Sequence, residues 1–516
     1  MYRVYLLSIS MALSPILLWG TDLIVDPSLS VGNGTTLFAD ITSAVNASVD
    51  GDRILITPGV YQEAAFTISN SLTLMPTDDV SDVTINCNIT VNTANNRVIN
   101  FVHINLGQYH LTVNGSSSNF DLTLLESQVS DLTINSGNSS NFDLTLLETQ
   151  VGNMNITGSA SQGFGFTILN TTLTNLTVNV PGHMNNRCEL HIIDCAISST
   201  LSVDRDGWDL GLIRSSVGST VTYRFGDVVM STMPRLILND ETGGNSLENR
   251  HAIIQNNISD YLEIRNDNCP VRIANNSLKN LYLFMWNHTA DKIDIINNEF
   301  TASTHIHMPW NPPAWNLRFN NNIFASTPTF IQWATVSSGT WSTFVSGYNY
   351  CDNSNGCGGS VGIYYLGNQL WNGILPYIGT AAMYDCSTNN DYCNGTDIGA
   401  IWSTSSAAFP NPAIAGFFEW SYNSHALPQP NVSSSSPIVF TEVGNGGESV
   451  DGGSPEHDYY DLDLTVNDRG RNGGPWGTAN FPADATGKAF VFDLDIPADL
   501  YPGSQIDIKA KAYQRY

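Results

Sequence analysis

The chain has 516 residues, 42% of them hydrophobic, so it is long enough to bury a large core. Its 47 acidic and 20 basic residues give a net charge of −27, which argues against a nucleic-acid partner. The same charge argues against a polyanionic substrate unless basic groups are concentrated locally or calcium intervenes.

The first 20 residues have the pattern of a secretory signal peptide. Met1-Tyr-Arg precedes an apolar run from Val4 to Trp19, and a basic start with a short apolar core is typical of such signals. We place the cleavage site near Gly20 and expect a secreted protein, either extracellular or on the outer cell surface. No later apolar run reaches roughly 18 residues, so no transmembrane helix is expected.

Residues 21–64 are predicted to form an N-terminal cap and the first coil of a repeat structure. Residues 36–45 have the apolar spacing of a helix that covers the open end. A pattern GD-x-I-x-I-x-PG-x-Y follows at Gly51, Asp52, Ile54, Ile56, Pro58, Gly59 and Tyr61. Here the chain resembles the first coil of pectin-lyase-like right-handed parallel β-helix proteins. The resemblance implies this fold and implies no activity.

Residues 119–157 contain an internal duplication. The run 119–129 recurs almost unchanged at 141–151, 22 residues later, and a looser copy begins at Phe164. A fixed period of this length indicates a repeat architecture. Short alternating runs such as Leu122-Thr-Leu, separated by Asn, Ser and Gly, predict about three short strands and three turns in each repeat. Each repeat is therefore predicted to be one coil of a β-helix.

Residues 65–325 are predicted to be a continuous series of such coils. The aligned second strands begin at Leu132, Met154, Leu176, Leu201, Val221, Leu236, Leu262 and Leu281. The first and third residues of each strand should point into the core, and the second and fourth should point outward. Ile306-His-Met308 is predicted to end the series.

Pairs of asparagines mark one turn of the later coils. They occur at 256–257, 275–276, 297–298 and 321–322. Asparagine tolerates the left-handed backbone region and can hydrogen-bond the neighbouring coil in a ladder. The pairs are therefore interpreted as structural rather than ligand-binding.

The C-terminal third departs from the regular period. Residues 326–480 are predicted to form final irregular coils and covering loops, since Trp, Tyr, Ser, Gly and Pro are frequent there. The segments 449–455 and 460–475 look like the terminal region of many secreted bacterial β-helix proteins. Residues 481–516 hold two alternating runs that predict a closing hairpin. The predicted fold class is all-β, a single-stranded right-handed parallel β-helix with end caps and a C-terminal hairpin and loop region.

Six of the eight cysteines fall into two groups. The pairs Cys351/Cys357 and Cys386/Cys393 flank turn-rich gaps in which a local disulfide bond can close. Cys188 and Cys195 bracket a predicted strand. Because seven extended residues span roughly 23 Å, these two are not expected to bond to each other. Buried thiols within the stack are the preferred interpretation.

The outward positions of the aligned strands change character along the series. Early coils present small polar residues, whereas later coils and the insertion after them present Arg, His and aromatic residues. Aromatic faces stack on sugar rings, and Arg, His or Glu can bind a sugar or transfer a proton. The candidate catalytic residues are Arg265, His307 and Glu263. The candidate substrate-binding residues are Arg224, Tyr282, His305, Trp310 and Trp315. The alternative is that these side chains pack beneath the covering loops.

A second column of turn residues comprises Glu126, Glu148, Asn170, Asp194 and Arg214. The first two carboxyl groups should lie about 5 Å apart, a separation that suits a retaining glycosidase. No aromatic residues surround them, so solvated turn residues are the preferred interpretation. Near the C-terminus, Asp461, Asp463 and Asp468 are candidate calcium ligands, with turn formation as the alternative. Calcium is the one cofactor that the sequence suggests.

The sequence lacks a serine nucleophile elbow, a zinc-protease helix and a phosphate-binding glycine loop. The clustered aspartates of pectin hydrolases and the basic and calcium-binding set of pectate lyases are also missing, so the resemblance transfers no catalytic residue. The sequence favours a secreted or cell-surface β-helix protein that is glycan-binding, or structural and adhesive. Its expected partner is a polysaccharide or cell-surface glycan, and its oligomeric state is open. The alternative is a polysaccharide lyase or glycoside hydrolase that uses the outer strand face of residues 224–318.

Overall fold

The computed structural model describes most of the first 330 residues and parts of the remainder. The described residues are 20–78, 81–93, 96–115, 119–137, 141–158, 163–180, 188–203, 207–240, 252–266, 270–285, 292–301, 304–308, 316–320, 322–324, 329–332, 361–364, 381–384, 417–421, 471, 473–474, 477, 489–495 and 509–514. The chain divides into an N-terminal unit within Ser8–Pro234 and a C-terminal unit within Arg235–Tyr516. Parallel strands stack as a β-solenoid of about nine turns, with very little helix. The predicted all-β, parallel β-helix class is therefore confirmed.

The N-terminal unit contains the helix α1 (Ile41–Ala47) and short strands. The strands are β1 (Asp22–Val25), β2 (Leu37–Phe38), β3 (Asp52–Ile56), β4 (Gly59–Tyr61), β5 (Phe66–Ile68), β6 (Leu72–Pro76), β7 (Val83–Ile85), β8 (Ile89–Thr93), β9 (Arg97–Val102), β10 (Ile104–Asn105), β11 (His110–Gly115), β12 (Phe120–Leu125), β13 (Gln128–Ser136), β14 (Asn141–Leu147), β15 (Gln150–Gly158), β16 (Gly163–Leu169), β17 (Thr172–Asn179), β18 (Cys188–Ile193), β19 (Ala196–Ile197), β20 (Leu201–Val203), β21 (Trp208–Ile213), β22 (Ser216–Val217), β23 (Thr220–Tyr223) and β24 (Gly226–Val229).

The strands of the C-terminal unit follow β25 (Thr232–Asp240), the strand in which the chain passes from one unit to the other. They are β26 (Ala252–Gln255), β27 (Ile258–Asn266), β28 (Val271–Ala274), β29 (Ser277–Met285), β30 (Lys292–Ile296), β31 (Glu299–Phe300), β32 (Thr304–Met308), β33 (Asn316–Asn320), β34 (Ile323–Phe324), β35 (Thr329–Gln332), β36 (Val361–Tyr364), β37 (Ala381–Tyr384), β38 (Phe417–Ser421), β39 (Ala489–Asp495) and β40 (Lys509–Gln514).

Each coil of the N-terminal unit contributes strands to two parallel sheets. The first sheet has the order β2-β1-β3-β6-β9-β12-β14-β16-β18-β21-β24. The second sheet holds two lanes, which start as β4-β7-β10 and β5-β8-β11 and join in the longer strand β13. In the C-terminal unit the first sheet runs β26-β28-β30-β33-β38. In the second sheet, β27 pairs with β29, β29 with β32, and β32 with β35. The pairs β36–β37 and β39–β40 are antiparallel, and the second confirms the predicted hairpin within residues 481–516.

The first coil shows why its sequence pattern suits this fold. Asp52 is buried, and its two carboxylate oxygens accept hydrogen bonds from the backbone N–H groups of Thr21 (2.7 Å) and Val49 (2.8 Å). Gly51 has a φ of 93°, which a residue with a side chain rarely adopts. The Tyr61 hydroxyl donates to the Thr57 carbonyl at 2.7 Å. The Asp52 bonds thus connect the N-terminal cap to the first coil. Gly51 and Tyr61 help to form the turns of that coil.

The predicted N-terminal helix is confirmed, with bounds Ile41–Ala47. Asp40 caps it by accepting a hydrogen bond from the Ser43 N–H at 2.7 Å. The Glu63 carboxylate accepts a further bond from the Ile41 N–H at 2.9 Å. Ile41 and Ala44 are fully buried, so the helix covers apolar side chains at this end of the N-terminal unit.

The duplicated sequence stacks on itself in register, as the 22-residue period predicts. Phe120 pairs with Phe142, and Phe142 pairs with Phe164, across three consecutive coils. The first two rings are stacked with centroids 5.1 Å apart. The residues predicted to begin the aligned second strands all have 0% exposure, from Leu132 to Leu281. The predicted inward face is therefore confirmed.

The predicted end of the series was wrong. β35 pairs with β32 beyond Met308, so the stack continues past this point. The register of β32 also differs, because Leu281 pairs with Thr304 and Ile306 pairs with Leu283. A shift of two residues keeps the same side chains on the same face of a strand. The inward and outward assignment is therefore unchanged by the difference.

The later coils of the N-terminal unit turn at a two-residue corner between the first and second sheets. The first corner residue lies in the left-handed region, with φ between 44° and 55°, at Glu126, Glu148, Asn170, Asp194 and Arg214. The second is buried, and we call these residues the hydroxyl column although one of them is a cysteine: Ser127, Thr149, Thr171, Cys195, Ser215 and Ser231. The prediction that the first set are turn residues is confirmed.

The corners of the C-terminal unit use asparagine at both positions. Asn256, Asn275 and Asn297 have φ of 55–56°. The following residues, here called the asparagine column, are buried and comprise Asn257, Asn276, Asn298 and Asn322. Each Oδ1 accepts from the backbone and side-chain N–H groups of the preceding member, as Asn298 does from Asn276 at 3.0 Å and 2.9 Å. The predicted asparagine ladder is confirmed.

A late segment of the chain lies against the asparagine corners. Asn275 Nδ2 donates to the carbonyl oxygens of Arg471 (3.1 Å) and Gly473 (2.6 Å). Asn297 Nδ2 donates to the same Gly473 oxygen at 2.8 Å. Gly473 and Gly474 are buried. The C-terminal unit therefore includes a segment that is recognised through its backbone.

Cys87, Cys188 and Cys195 are buried and in the thiol form, which confirms that Cys188 and Cys195 are not bonded to each other. Burial raises the pKa of the Cys195 thiol to about 12. Its Sγ lies 3.1 Å from the Ile193 carbonyl oxygen, where serine and threonine hydroxyls lie in other coils. The predicted disulfide bonds Cys351–Cys357 and Cys386–Cys393 lie outside the described residues.

Candidate functional site

Five of the candidate site residues lie at paired positions on successive strands of the C-terminal unit. Glu263 on β27 pairs with Tyr282 on β29, and Tyr282 pairs with His305 on β32. Two positions along, Arg265 pairs with Phe284, which pairs with His307. In a parallel sheet, paired residues lie about one strand spacing apart. The strand register therefore brings the backbone of these positions together.

Glu263 is the centre of an ion cluster on this face. One carboxylate oxygen accepts from Arg235 Nη2 at 2.7 Å, and the other accepts from Arg265 Nε at 2.6 Å. The Glu263 side chain is only 2% exposed, whereas Arg235 is 45% exposed and Arg265 is 39% exposed. The carboxylate is thus hidden beneath two arginines that reach the surface.

Two tyrosines complete the cluster. The Tyr261 and Tyr282 rings are stacked, with centroids 5.0 Å apart. The Arg235 guanidinium lies 4.8 Å from the Tyr261 centroid, within range of a cation–π interaction. We call Arg235, Tyr261, Glu263, Arg265 and Tyr282 the arginine–tyrosine face.

The charge state of this face follows from its contacts. Burial by itself would raise the pKa of Glu263, but the hydrogen bonds and charges of Arg235 and Arg265 outweigh it and lower the pKa. Burial, reinforced by the nearby Glu263 charge, raises the pKa of Tyr261 to about 12. At neutral pH the face therefore carries two guanidinium charges, one carboxylate and a protonated phenol, a net charge of about +1.

These contacts favour a positioning role for Glu263. A general base must offer an oxygen to the proton that it removes. Both Glu263 oxygens already accept from arginines, and the lowered pKa keeps the group ionised rather than poised for proton transfer. The carboxylate is therefore suited to hold the two arginines in place.

The remaining candidates are located by their position in the chain. Arg224 follows β23 in the N-terminal unit and is half-buried. His305 and His307 are placed by the register of β32 alone. Trp310 and Trp315 lie outside the described residues, as do the candidate calcium ligands Asp461, Asp463 and Asp468.

Sequence reasoning missed Arg235 and Tyr261. Each directly precedes the first inward residue of its strand, Leu236 or Leu262. The aligned motif began at the inward residue, so the outward position just before it was not considered. Strand alternation would have placed both side chains beside the chosen positions.

A second set of ionisable residues was also missed, in the first sheet of the N-terminal unit. Asp121 pairs with Asp143 in register across β12 and β14. Desolvation raises the pKa of both carboxyl groups, and the Asp121 charge raises that of Asp143 further. Two strands on, Glu189 lies 3.5 Å from His191 Nε2. Within the described part of the chain, no three His, Cys, Asp or Glu residues are grouped so as to hold a metal ion.

Members of the corner column of the N-terminal unit make close polar contacts in which the acidic partner is exposed. Arg214 makes a bidentate pair with Asp194, whose side chain is 41% exposed. Glu126 lies 3.4 Å from His103 Nε2. These contacts agree with solvated turn residues rather than with a carboxyl pair arranged for glycoside hydrolysis.

Comparison of the chain with family models, curated proteins and solved structures finds no match. The fold is therefore known from the strand pairing of this chain alone. Across the described residues, none of the helical structure is long and apolar enough to span a membrane.

Proposed function

We propose that this chain is a secreted or cell-surface β-helix protein that binds glycan through the arginine–tyrosine face. The observation that supports the proposal is the pair of partly exposed arginines fixed on a buried carboxylate beside two tyrosines. Guanidinium and phenol groups are suited to hydrogen-bond the hydroxyl and acidic groups of sugars. Fixing them in advance lowers the entropic cost of binding.

The test is binding of the purified protein to a panel of neutral and acidic polysaccharides by calorimetry. We expect binding to at least one glycan, and a loss of roughly tenfold or more in affinity for Arg265→Ala. Lys279→Ala is the matched control, because Lys279 lies on the neighbouring strand β29 but pairs with the exposed Asp260 at 2.6 Å. No binding to any glycan, or equal losses in both variants, would contradict the proposal.

The second candidate function is that of a polysaccharide lyase or glycoside hydrolase. It is favoured by the register that puts His305 beside Tyr282 and His307 beside Phe284. The same panel is assayed for new reducing ends and for unsaturated products. We expect binding without cleavage. Cleavage that His307→Ala abolishes would replace the binding proposal with the enzymatic one.

A further inference from the structure

The arginine–tyrosine face presents hydrogen-bond donors and hides its one carboxylate. Arg235 and Arg265 are 45% and 39% exposed, but Glu263 between them is 2% exposed. A neutral sugar hydroxyl both donates and accepts hydrogen bonds, whereas an oxyanion only accepts. A surface of fixed donors with a buried acceptor is therefore better matched to an oxyanion than to a hydroxyl.

The stacking of the tyrosines leads to the same conclusion. β27 lies between β25 and β29, so Arg235 and Tyr282 approach Tyr261 from opposite sides. The Arg235 guanidinium and the Tyr282 ring both stack on Tyr261. Its faces are thus occupied, and a sugar ring cannot lie flat on it. A ligand meets this part of the surface through polar edges rather than through ring stacking.

The local charge sets this face apart from the rest of the chain. The chain as a whole carries −27, yet the face has two guanidinium groups against one carboxylate. Lys279, on the neighbouring strand, is paired with Asp260 and adds no net charge. An anionic ligand is therefore repelled by the protein in general and attracted here, which favours binding at a defined place.

We infer that the arginine–tyrosine face selects saccharides that carry an oxyanion, either a carboxylate or a sulfate ester. The oxyanion binds between the exposed edges of Arg235 and Arg265, and Glu263 acts as a positioning residue that holds the two guanidinium groups apart at a fixed spacing. This inference rests on the proposed function and names the class of glycan. Planar guanidinium groups fit such oxyanions through paired hydrogen bonds.

The experiment uses glycans that differ only in the anionic group. Dextran is compared with dextran sulfate, and polygalacturonate with its fully methyl-esterified form, by calorimetry on the full chain. We expect the anionic member of each pair to bind at least roughly tenfold more tightly. Arg265→Ala should remove most of this preference, because the anionic members lose more affinity than the neutral members do. Glu263→Gln removes a negative charge from the face, yet it should also reduce the preference for the anionic member, because Glu263 no longer holds the two guanidinium groups in place.

Arg265→Lys, which keeps the charge and loses the planar fork, serves if Arg265→Ala does not fold, as checked by circular dichroism. Lys279→Ala removes one positive charge outside the face and should leave the preference intact. Equal affinity for both members of each pair overturns the inference but leaves glycan binding standing. Inorganic sulfate that competes as well as dextran sulfate overturns the saccharide part. No binding to any glycan removes the proposed function as well.

Discussion

The hydroxyl column and the asparagine column occupy the same place in a coil but hold their corners differently. In the N-terminal unit, the Thr149 hydroxyl donates to the carbonyls of Leu124 and Leu147, at 3.0 Å and 2.9 Å. In the C-terminal unit, Asn298 Nδ2 donates to two backbone carbonyls and to Asn322 Oδ1. Members of the hydroxyl column also bond from coil to coil, as the Cys195 N–H does to Ser215 Oγ at 3.1 Å. The amide adds to this pattern a bond between the side chains of successive members.

The left-handed residues that precede the two columns differ just as much. Those of the N-terminal unit include exposed charged groups such as Glu126, whose side chain is 43% exposed. Those of the C-terminal unit are buried asparagines, and two of them bind the backbone of residues 471–473. The same left-handed corner geometry therefore occurs both at an exposed surface and at a buried contact, and the side chain at the corner determines which.

The largest expected effect is on the asparagine column. Asn276→Ala removes the acceptor of the Asn257 N–H and the donor to the Ile254 carbonyl in a buried place. We expect the free energy of unfolding of the C-terminal unit to fall by about 3–4 kcal/mol, against about 1–2 kcal/mol for Thr149→Ala in the N-terminal unit. Urea denaturation with hydrogen exchange of β26–β29 and β12–β16 measures both. Equal losses would show that the two columns are equivalent.

The second-largest expected effect is a loss of stability when the buried Glu263 carboxylate is neutralised. Glu263→Gln leaves two arginines on a neutral amide and should cost about 2–3 kcal/mol in the unfolding free energy of the C-terminal unit. Asp260→Asn breaks the exposed pair with Lys279 and should cost less than about 0.5 kcal/mol. If both variants unfold at the same urea concentration, the ion cluster does not contribute to stability.

A smaller effect tests the left-handed corner residues. Glu148 has a φ of 51°, and glycine adopts this region without strain, so Glu148→Gly should raise the unfolding free energy by about 0.5–1 kcal/mol. Asn275→Gly should instead lower it by about 1–2 kcal/mol, because the bonds to Arg471 and Gly473 are lost. Thermal denaturation of both variants gives the signs. A gain in both would mean that the contact with residues 471–473 adds no stability.

The smallest effect is a difference in pH dependence. The pKa of Glu263 is lowered in the folded state, so the stability that it contributes is present above its unfolded pKa and is lost as the pH falls through the folded value. The pKa values of Asp121 and Asp143 are raised, so their contribution is present at low pH and is lost as the pH rises through the folded values. Lowering the pH from neutral towards about 4 should therefore speed exchange in β27 and slow it in β12 and β14, after correction for intrinsic rates. Asp143→Asn should abolish the second change.

The fold could be predicted because its causes are local and repeated. The 22-residue period sets the register of Phe120, Phe142 and Phe164, since identical side chains stack best on themselves. The end of the series could not be predicted in the same way. Thr304 takes the place opposite Leu281, and nothing in a short run of residues distinguishes this register from one shifted by two.

The site could be predicted only in part, because its cause is not local. Glu263 and Arg265 were identified from strand alternation, but the third partner, Arg235, comes from 28 residues earlier. Pairing of an arginine with a buried carboxylate depends on which coils are adjacent and on which side chains are long enough to meet. Strand alternation predicts the face of the sheet on which a side chain lies, but it does not predict which other side chain it contacts.

The contact between Asn275 and Arg471 has a consequence for how the chain is completed during synthesis. The two residues are 196 positions apart, so synthesis must continue 196 residues beyond Asn275 before this contact can form. Until then the amides of two buried corners lack their backbone acceptors, and closing so long a loop is slow. In a product that ends before residue 471, the side-chain amides of Asn275 and Asn297 lack these backbone acceptors. The contact thus makes the stability of the C-terminal unit a measure of whether synthesis has passed residue 473.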